Sequence, residues 1–251
     1  MSGHNKWSSI KHKKSKEDAK RGKIFTKIIR EITVAAREHG GDPETNPDLR
    51  NAISKAQTAN MPKENIERAV KKGTGELEGV NYEPFLYEGY APGGVALMIE
   101  GLTDNSKRTV SEIRHILSSY NGNLAEKGAV AWNFNRVGSI MIKKDSIDED
   151  ELMMLALEAG AENMETEDEF YILSTKSTEM HDVTAALEKE GIKIEKAQLI
   201  YKPKNTVPAN DKAQIIINVI NDLEDLDDVQ DVYANFDIDD EVLEQVASNE
   251  G

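Results

Sequence analysis

The 251-residue chain has no cysteine. That absence removes disulfides, zinc–thiolate sites and thiol nucleophiles together. No apolar run approaches the roughly 20 residues that a membrane-spanning helix needs. The N-terminus carries charge but no apolar segment, so a secretory signal is not expected and cytoplasmic residence is. GxxxxGK[ST], HExxH and GxSxG are all missing. Gly73-Thr74-Gly75 with Gly79 misses the dinucleotide spacing and follows a helix, not a strand. The five histidines, His4, His12, His39, His115 and His181, are scattered without ligand-spaced partners. These gaps argue against an enzyme, a catalytic residue, a bound metal, a cofactor or a small-molecule substrate.

What is present is charge, unevenly spread. Residues 1–75 hold 17 basic and 9 acidic side chains, a balance of +8; the remainder holds 14 and 37, a balance of −23. The basic end is densest at its start, with Lys6, Lys11, Lys13, Lys14, Lys16, Lys20, Arg21, Lys23, Lys27 and Arg30. Screening over roughly 8–10 Å keeps a distant acidic body from cancelling such an arm. Polyanion binding is the expectation, with Trp7 and His12 interleaved as rings able to stack on unpaired bases. Trp7 packing back onto the helical domain is the alternative.

Residues 1–14 lack hydrophobic periodicity and read as an extended arm. Ser15 and Asp18 resemble a capping box. Beyond it Ile24, Phe25, Ile28, Ile29, Ile32, Ala35 and Ala36 share one helical arc. Lys20, Lys23, Lys27, Arg30 and Arg37 lie opposite, a face suited to anions. His39-Gly40-Gly41 ends this helix. Asn46-Pro47 opens a second helix and Pro62 a third, which ends at Gly73.

Period-two patterning follows, with strands expected at 85–90, 95–100 and around Val130, Trp132 and Phe134, and a helix at 106–119. Residues 138–203 then read βαββαβ, the ferredoxin-like order. A helix at 211–223 and a strand at 229–238 would complete the earlier ββαβ segment. The fold class is therefore α+β: an N-terminal three-helix domain, then two α+β, ferredoxin-like domains, one inserted into the other. The boundaries are 1–79 for the arm and helices, 80–135 plus 205–240 for a discontinuous domain, 136–204 for the insert, and 241–251 for an acidic tail. Contiguous domains are the alternative arrangement.

Lys107 and Arg108 form a second candidate anion site. They sit in the first turn of a helix, where the dipole disfavours cations by about 0.3–1 kcal/mol and a bound anion would relieve the cost. The competing reading pairs Arg108 with Glu112. The acidic runs at 148–151, 165–169 and 222–231 lack the alternation of a calcium loop and read as solvated.

The stretches GHNKWSSIKHKK, DAKRGKIFTKIIREITVAAR, GGDPETNPDLR, ANMPKENIERAVKKGTG, YEGYAPGGVALMIE, TDNSKRTVSEIRH and VYANFDI resemble the YebC family. The resemblance covers nearly the whole chain, with Asn5, Ala91 and Ala125 as small departures. It implies a three-helix N-terminal domain and two α+β domains, one inserted in the other. It implies a probable DNA-binding transcriptional regulator or, as in a mitochondrial relative, a translational activator. In the latter role the arm would reach ribosomal RNA and relieve stalling at proline-rich stretches. The family's basic arm and helix correspond to Lys6, Trp7, Lys11 to Lys14, Lys20, Arg21, Lys23 and Lys27, and its Asn-Arg-Thr-type segment to Asn105 to Thr109. The expected partner is nucleic acid, DNA or ribosomal RNA, with no membrane, and the chain is expected to be a monomer or weak oligomer.

Overall fold

The computed structural model describes residue 7 and residues 21–167 and 169–249. The fold is α+β, and the chain forms two compact units. One runs up to Ala131 and resumes at Thr206; the other is Trp132–Asn205.

The first unit begins with three helices, α1 (Arg21–His39), α2 (Pro47–Thr58) and α3 (Lys63–Gly73). The apolar arc of α1 seats Ile28, Ile32, Ala35 and Ala36 against Leu49, Ala52 and Ala56 of α2 and Ile66 and Ala69 of α3. Asn46 joins α1 to α2. Its buried side chain accepts from Leu49 N (3.0 Å), capping α2, and donates to Ala35 O (2.9 Å) and Gly40 O (2.8 Å) at the end of α1. One amide thus satisfies orphan groups of two helices. At Gly73 a Cβ would lie 2.4 Å from Thr33 O, so only glycine lets α3 approach α1 this closely.

The same unit continues with β1 (Glu83–Ala91), β2 (Val95–Thr103), α4 (Ser106–Ser119) and β3 (Asn123–Ala125). The alternation of Val130, Trp132 and Phe134 had suggested a strand. Instead Ala131–Asn133 is a 3-10 turn, Val130 is buried, and Trp132 is 66% exposed. The buried Glu88 carboxylate holds this junction, accepting from the backbone N–H groups of Gly128 (2.6 Å), Val130 (2.7 Å) and Ala131 (2.9 Å).

The second unit is built from β4 (Phe134–Lys143), α5 (Glu149–Ala159), β5 (Asn163–Thr166), β6 (Phe170–Lys176), α6 (Met180–Lys189) and β7 (Ile194–Pro203). Its antiparallel sheet has the order β5-β6-β4-β7. Ile140, Ile142, Tyr171 and Leu173 of the sheet pack with Leu152 and Ala156 of α5 and Val183 and Leu187 of α6. Asn133 clasps the two ends of the unit together. It accepts from Asn205 N (3.0 Å) and donates to Asn205 O (2.9 Å).

The first unit resumes with β8 (Val207–Pro208), α7 (Ala213–Glu224), β9 (Val229–Ala234), β10 (Phe236–Asp237) and α8 (Asp240–Asn249). Strand β9 completes an antiparallel sheet of order β3-β1-β2-β9. The core of this unit joins Leu97 and Ile99 of β2, Ile113 and Leu117 of α4, and Ile216 and Ile220 of α7. The acidic end had been expected as a tail, but α8 is an amphipathic helix that puts Leu243, Val246 and Ala247 into that core.

Candidate nucleic-acid interface

The cations of α1 were expected to face an external anion. Three of them, Lys23, Lys27 and Arg30, face the chain's own acidic segment, at the end of α7 and the start of β9. Lys23 Nζ lies 3.2 Å from Asp225 Oδ2. Lys27 Nζ donates to the carbonyl of Glu224 at 2.6 Å, where the C-terminal end of a helix favours a cation. Burial pulls the Lys27 ammonium below its usual range, against the raising influence of Asp231, Asp225, Asp227 and Glu31. Arg30 is only 8% exposed. It donates to Leu102 O (3.0 Å) and to Asp228, and its guanidinium lies 5.0 Å from the centre of the Tyr82 ring. Arg37 donates to Asn81. Arg30 and Lys27 therefore leave the list of phosphate contacts, because burial and internal acceptors already consume them. Lys23, about half exposed and in a surface pair, stays accessible.

The anion expected at the start of α4 is present as a side chain of the same protein. Asn105 caps α4 by accepting from Arg108 N (3.1 Å). Arg108 Nη2 donates to Asp228 Oδ1 (2.9 Å) and Oδ2 (2.7 Å), and to Asp104 Oδ1 (2.7 Å). These acids, not Glu112, are its partners, and they hold the Arg108 guanidinium well above its ordinary pKa. Asp228 also accepts from Thr109 Oγ1 (2.6 Å) and Thr103 Oγ1 (3.1 Å). Burial would raise the Asp228 carboxyl, but donation from Thr109, Arg108 and Arg30 outweighs it and holds the group low. A buried carboxylate with two guanidinium partners and two hydroxyl donors is saturated, and the anion that the start of α4 called for is thus supplied from within the chain. Lys107 beside it is exposed. The run at 222–231, read as solvated, is thus the counter-surface of α1. Its signal was the matching geometry: cations at 23, 27 and 30 make one helical stripe, and a stripe needs a partner.

Trp7 is helical and 3% exposed, and it belongs to the core built on β2, α4 and α7 rather than to that of the three helices. It is therefore packed rather than offered to bases, but not against the helical domain that the competing expectation named. Lys6, Lys11, His12, Lys13, Lys14, Lys16 and Lys20, the Ser15–Asp18 capping box and the side chain of Arg21 lie outside the described residues. On α3, Lys63, Arg68 and Lys71 are exposed, interspersed with exposed Glu64 and Glu67. Among the described residues no cluster of three or more His, Asp or Glu could hold a metal ion. No described helix is long and apolar enough to cross a membrane.

A three-helix bundle, a discontinuous antiparallel sheet and a ferredoxin-like insert define the class of protein. The chain belongs to the TACO1/YebC family: the family's N-terminal domain matches residues 5–76, and its second and third domain matches residues 82–236. A "probable transcriptional regulatory protein" of Halothermothrix orenii is 55% identical over 250 residues, spanning 98% of this chain and 99% of that one. One of Thermotoga maritima, with the same name, is 53% identical over 250 residues, spanning 99% and 98%. The crystal structure of the conserved hypothetical protein Aq1575 from Aquifex aeolicus superposes with a TM-score of 0.83. It is 50% identical and covers 88% of this chain and 92% of that one.

Proposed function

We propose that this protein is a nucleic-acid-binding regulator of gene expression, acting through its basic arm rather than through the buried cations of α1. One observation carries the reading. Lys23, Lys27 and Arg30 of α1 are met by internal acceptors, whereas the seven cations of residues 6–21 share their stretch with only Glu17 and Asp18. The names of the relatives favour DNA as the target and transcription as the process. The buried Trp7 would tether the start of the arm to the body.

A second reading, a ribosome-associated factor whose arm meets ribosomal RNA, is favoured by α3. Its exposed face mixes Glu64 and Glu67 with Lys63, Arg68 and Lys71, which suits groove reading poorly. Contact with phosphates alone fits structured RNA as well as duplex DNA.

Salt titration of binding tests the shared part. Neutralising about five phosphates of duplex DNA gives a log–log slope near −4.5, and Lys11/Lys13/Lys14→Ala should remove about three contacts and flatten it by roughly 2.7. Lys27→Ala should leave the slope unchanged. The reverse result, with Lys27 mattering and the triple variant binding as the parent does, overturns the assignment to the arm. Specific promoter binding that persists at ~200 mM salt, about a thousandfold over random DNA, would sink the ribosomal reading. DNase-resistant co-sedimentation with ribosomes, without such specificity, would sink the transcriptional one.

A further inference from the structure

Helix α5 of the Trp132–Asn205 unit buries Leu152 and Ala156 in its core. Its outer face is not the polar surface that a helix on a sheet normally shows. Met153 is 42% exposed, Met154 66% and Leu157 63%, three of the few large apolar side chains left exposed among the described residues. On a helix they are neighbours: Leu157 lies four residues from Met153 and three from Met154. Single exposed apolar residues are ordinary, but a contiguous stripe marks a contact surface. Methionine suits such a surface because its unbranched side chain adapts to different shapes.

The surroundings of the stripe select the occupant. Asp150 and Glu151 lie one turn before Met154, and Glu158 one turn after it; all three are exposed. The helix sequence, EDELMMLALEA, contains no cation. None of these three acids forms an ion pair with a described cation. Asp150 and Glu151 suit the positive start of the helix, but Glu158 sits in its last turn, where an anion is disfavoured and an external cation would compensate. A second copy of this chain would bring acid against acid. An anionic lipid surface would be repelled in the same way.

We infer that the outer face of α5 docks a basic amphipathic segment of a partner protein, its apolar side on Met153, Met154 and Leu157 and its cations on Asp150, Glu151 and Glu158. None of these residues belongs to the arm, and the surface stands whichever nucleic acid the arm meets.

The probe is a fluorescein-labelled 14-residue Leu/Lys peptide with helical periodicity, titrated against the full chain by anisotropy. Its control is a peptide of the same composition with the periodicity scrambled. The amphipathic peptide should bind at least about tenfold more tightly than the scrambled one. Met154→Ser/Leu157→Ser, which leaves net charge unchanged, should remove that advantage. Asp150→Asn/Glu151→Gln/Glu158→Gln should weaken binding and flatten its salt dependence. Both variants alter exposed side chains, and unchanged unfolding midpoints would show that the fold is intact. Equal binding of both peptides, or a serine variant that binds like the parent, would mean attraction by net charge alone and overturn the inference. So would self-association of the parent that the serine variant loses, since the stripe would then serve a second copy.

Discussion

The acidic run at 222–231 and the acidic helix α5 have similar composition and opposite circumstances. In the first, three of the six acids meet donors from remote parts of the chain. Asp222 accepts from Tyr120 Oη (2.6 Å), Asp225 meets Lys23, and Asp228 gathers Arg30, Arg108, Thr103 and Thr109. In the second, Asp148 caps its own helix and Glu149 accepts from Thr166, while Asp150, Glu151 and Glu158 face solvent. Carboxylates that close a fold and carboxylates that wait for a partner are indistinguishable by count. What separates them is whether a remote part of the chain brings cations to them.

The sharpest way to break this comparison is at Asp228. Asp228→Ala strands Arg30 as an uncompensated buried charge and should cost about 3–5 kcal/mol in urea unfolding. A loss below about 1 kcal/mol would mean that the cluster does not hold α1 in place.

Glu88 lies between the two cases, a buried carboxylate held by three backbone N–H groups. Burial would raise its pKa, but donation from Gly128, Val130 and Ala131 outweighs it, and the group titrates below its ordinary 4.5. Both Glu88 and Asp228 are thus lowered by folding. Their stabilisation is complete above the unfolded values near 4 and is lost as pH falls through the lower folded ones. Unfolding midpoints should drop as the pH falls below the ordinary carboxylate values near 4. Glu88→Gln should cost about 1.5–3 kcal/mol at pH 7 and less in acid, so its curve converges on that of the parent. Parallel curves would show that the carboxylate charge contributes nothing.

The smallest effects test the exposed acids. Asp225→Asn removes a surface pair and should cost no more than about 1 kcal/mol, shrinking further at high salt. Glu158→Gln should shift stability by only about 0.5 kcal/mol, and in the stabilising direction, because this carboxylate sits in the last turn of α5, where the helix dipole disfavours an anion. A clear destabilisation would reveal an internal partner for α5.

Much of the fold was legible because its signals are local. Asn46-Pro47 announced a helix start, 106–119 followed its apolar spacing, and the βαββαβ order read directly from alternating periods. The strand expected around 130–134 had the right alternation, but only Phe134 joins a strand; Val130 and Ala131 are held by Glu88, some forty positions away, which no window reveals. The C-terminal helix was obscured by its acids, although Val242, Leu243, Val246 and Ala247 carry a helical spacing. The candidate site was the least legible part. Lys27 and Arg30 look like phosphate ligands on a helical wheel, yet their acceptors lie about 200 residues further along the chain.

The discontinuity of the first unit also sets a timetable. A ribosome delivers β2 long before β9, the strand that pairs with its second edge, and delivers Arg30 long before Asp228. Between them it must make all of Trp132–Asn205, whose strands and helices are contiguous in the chain. During that interval an apolar strand edge stays open, the kind of surface that invites mispairing. The middle of the protein thus has all its parts before its beginning does, and the last seam to close is the one that locks the first helix.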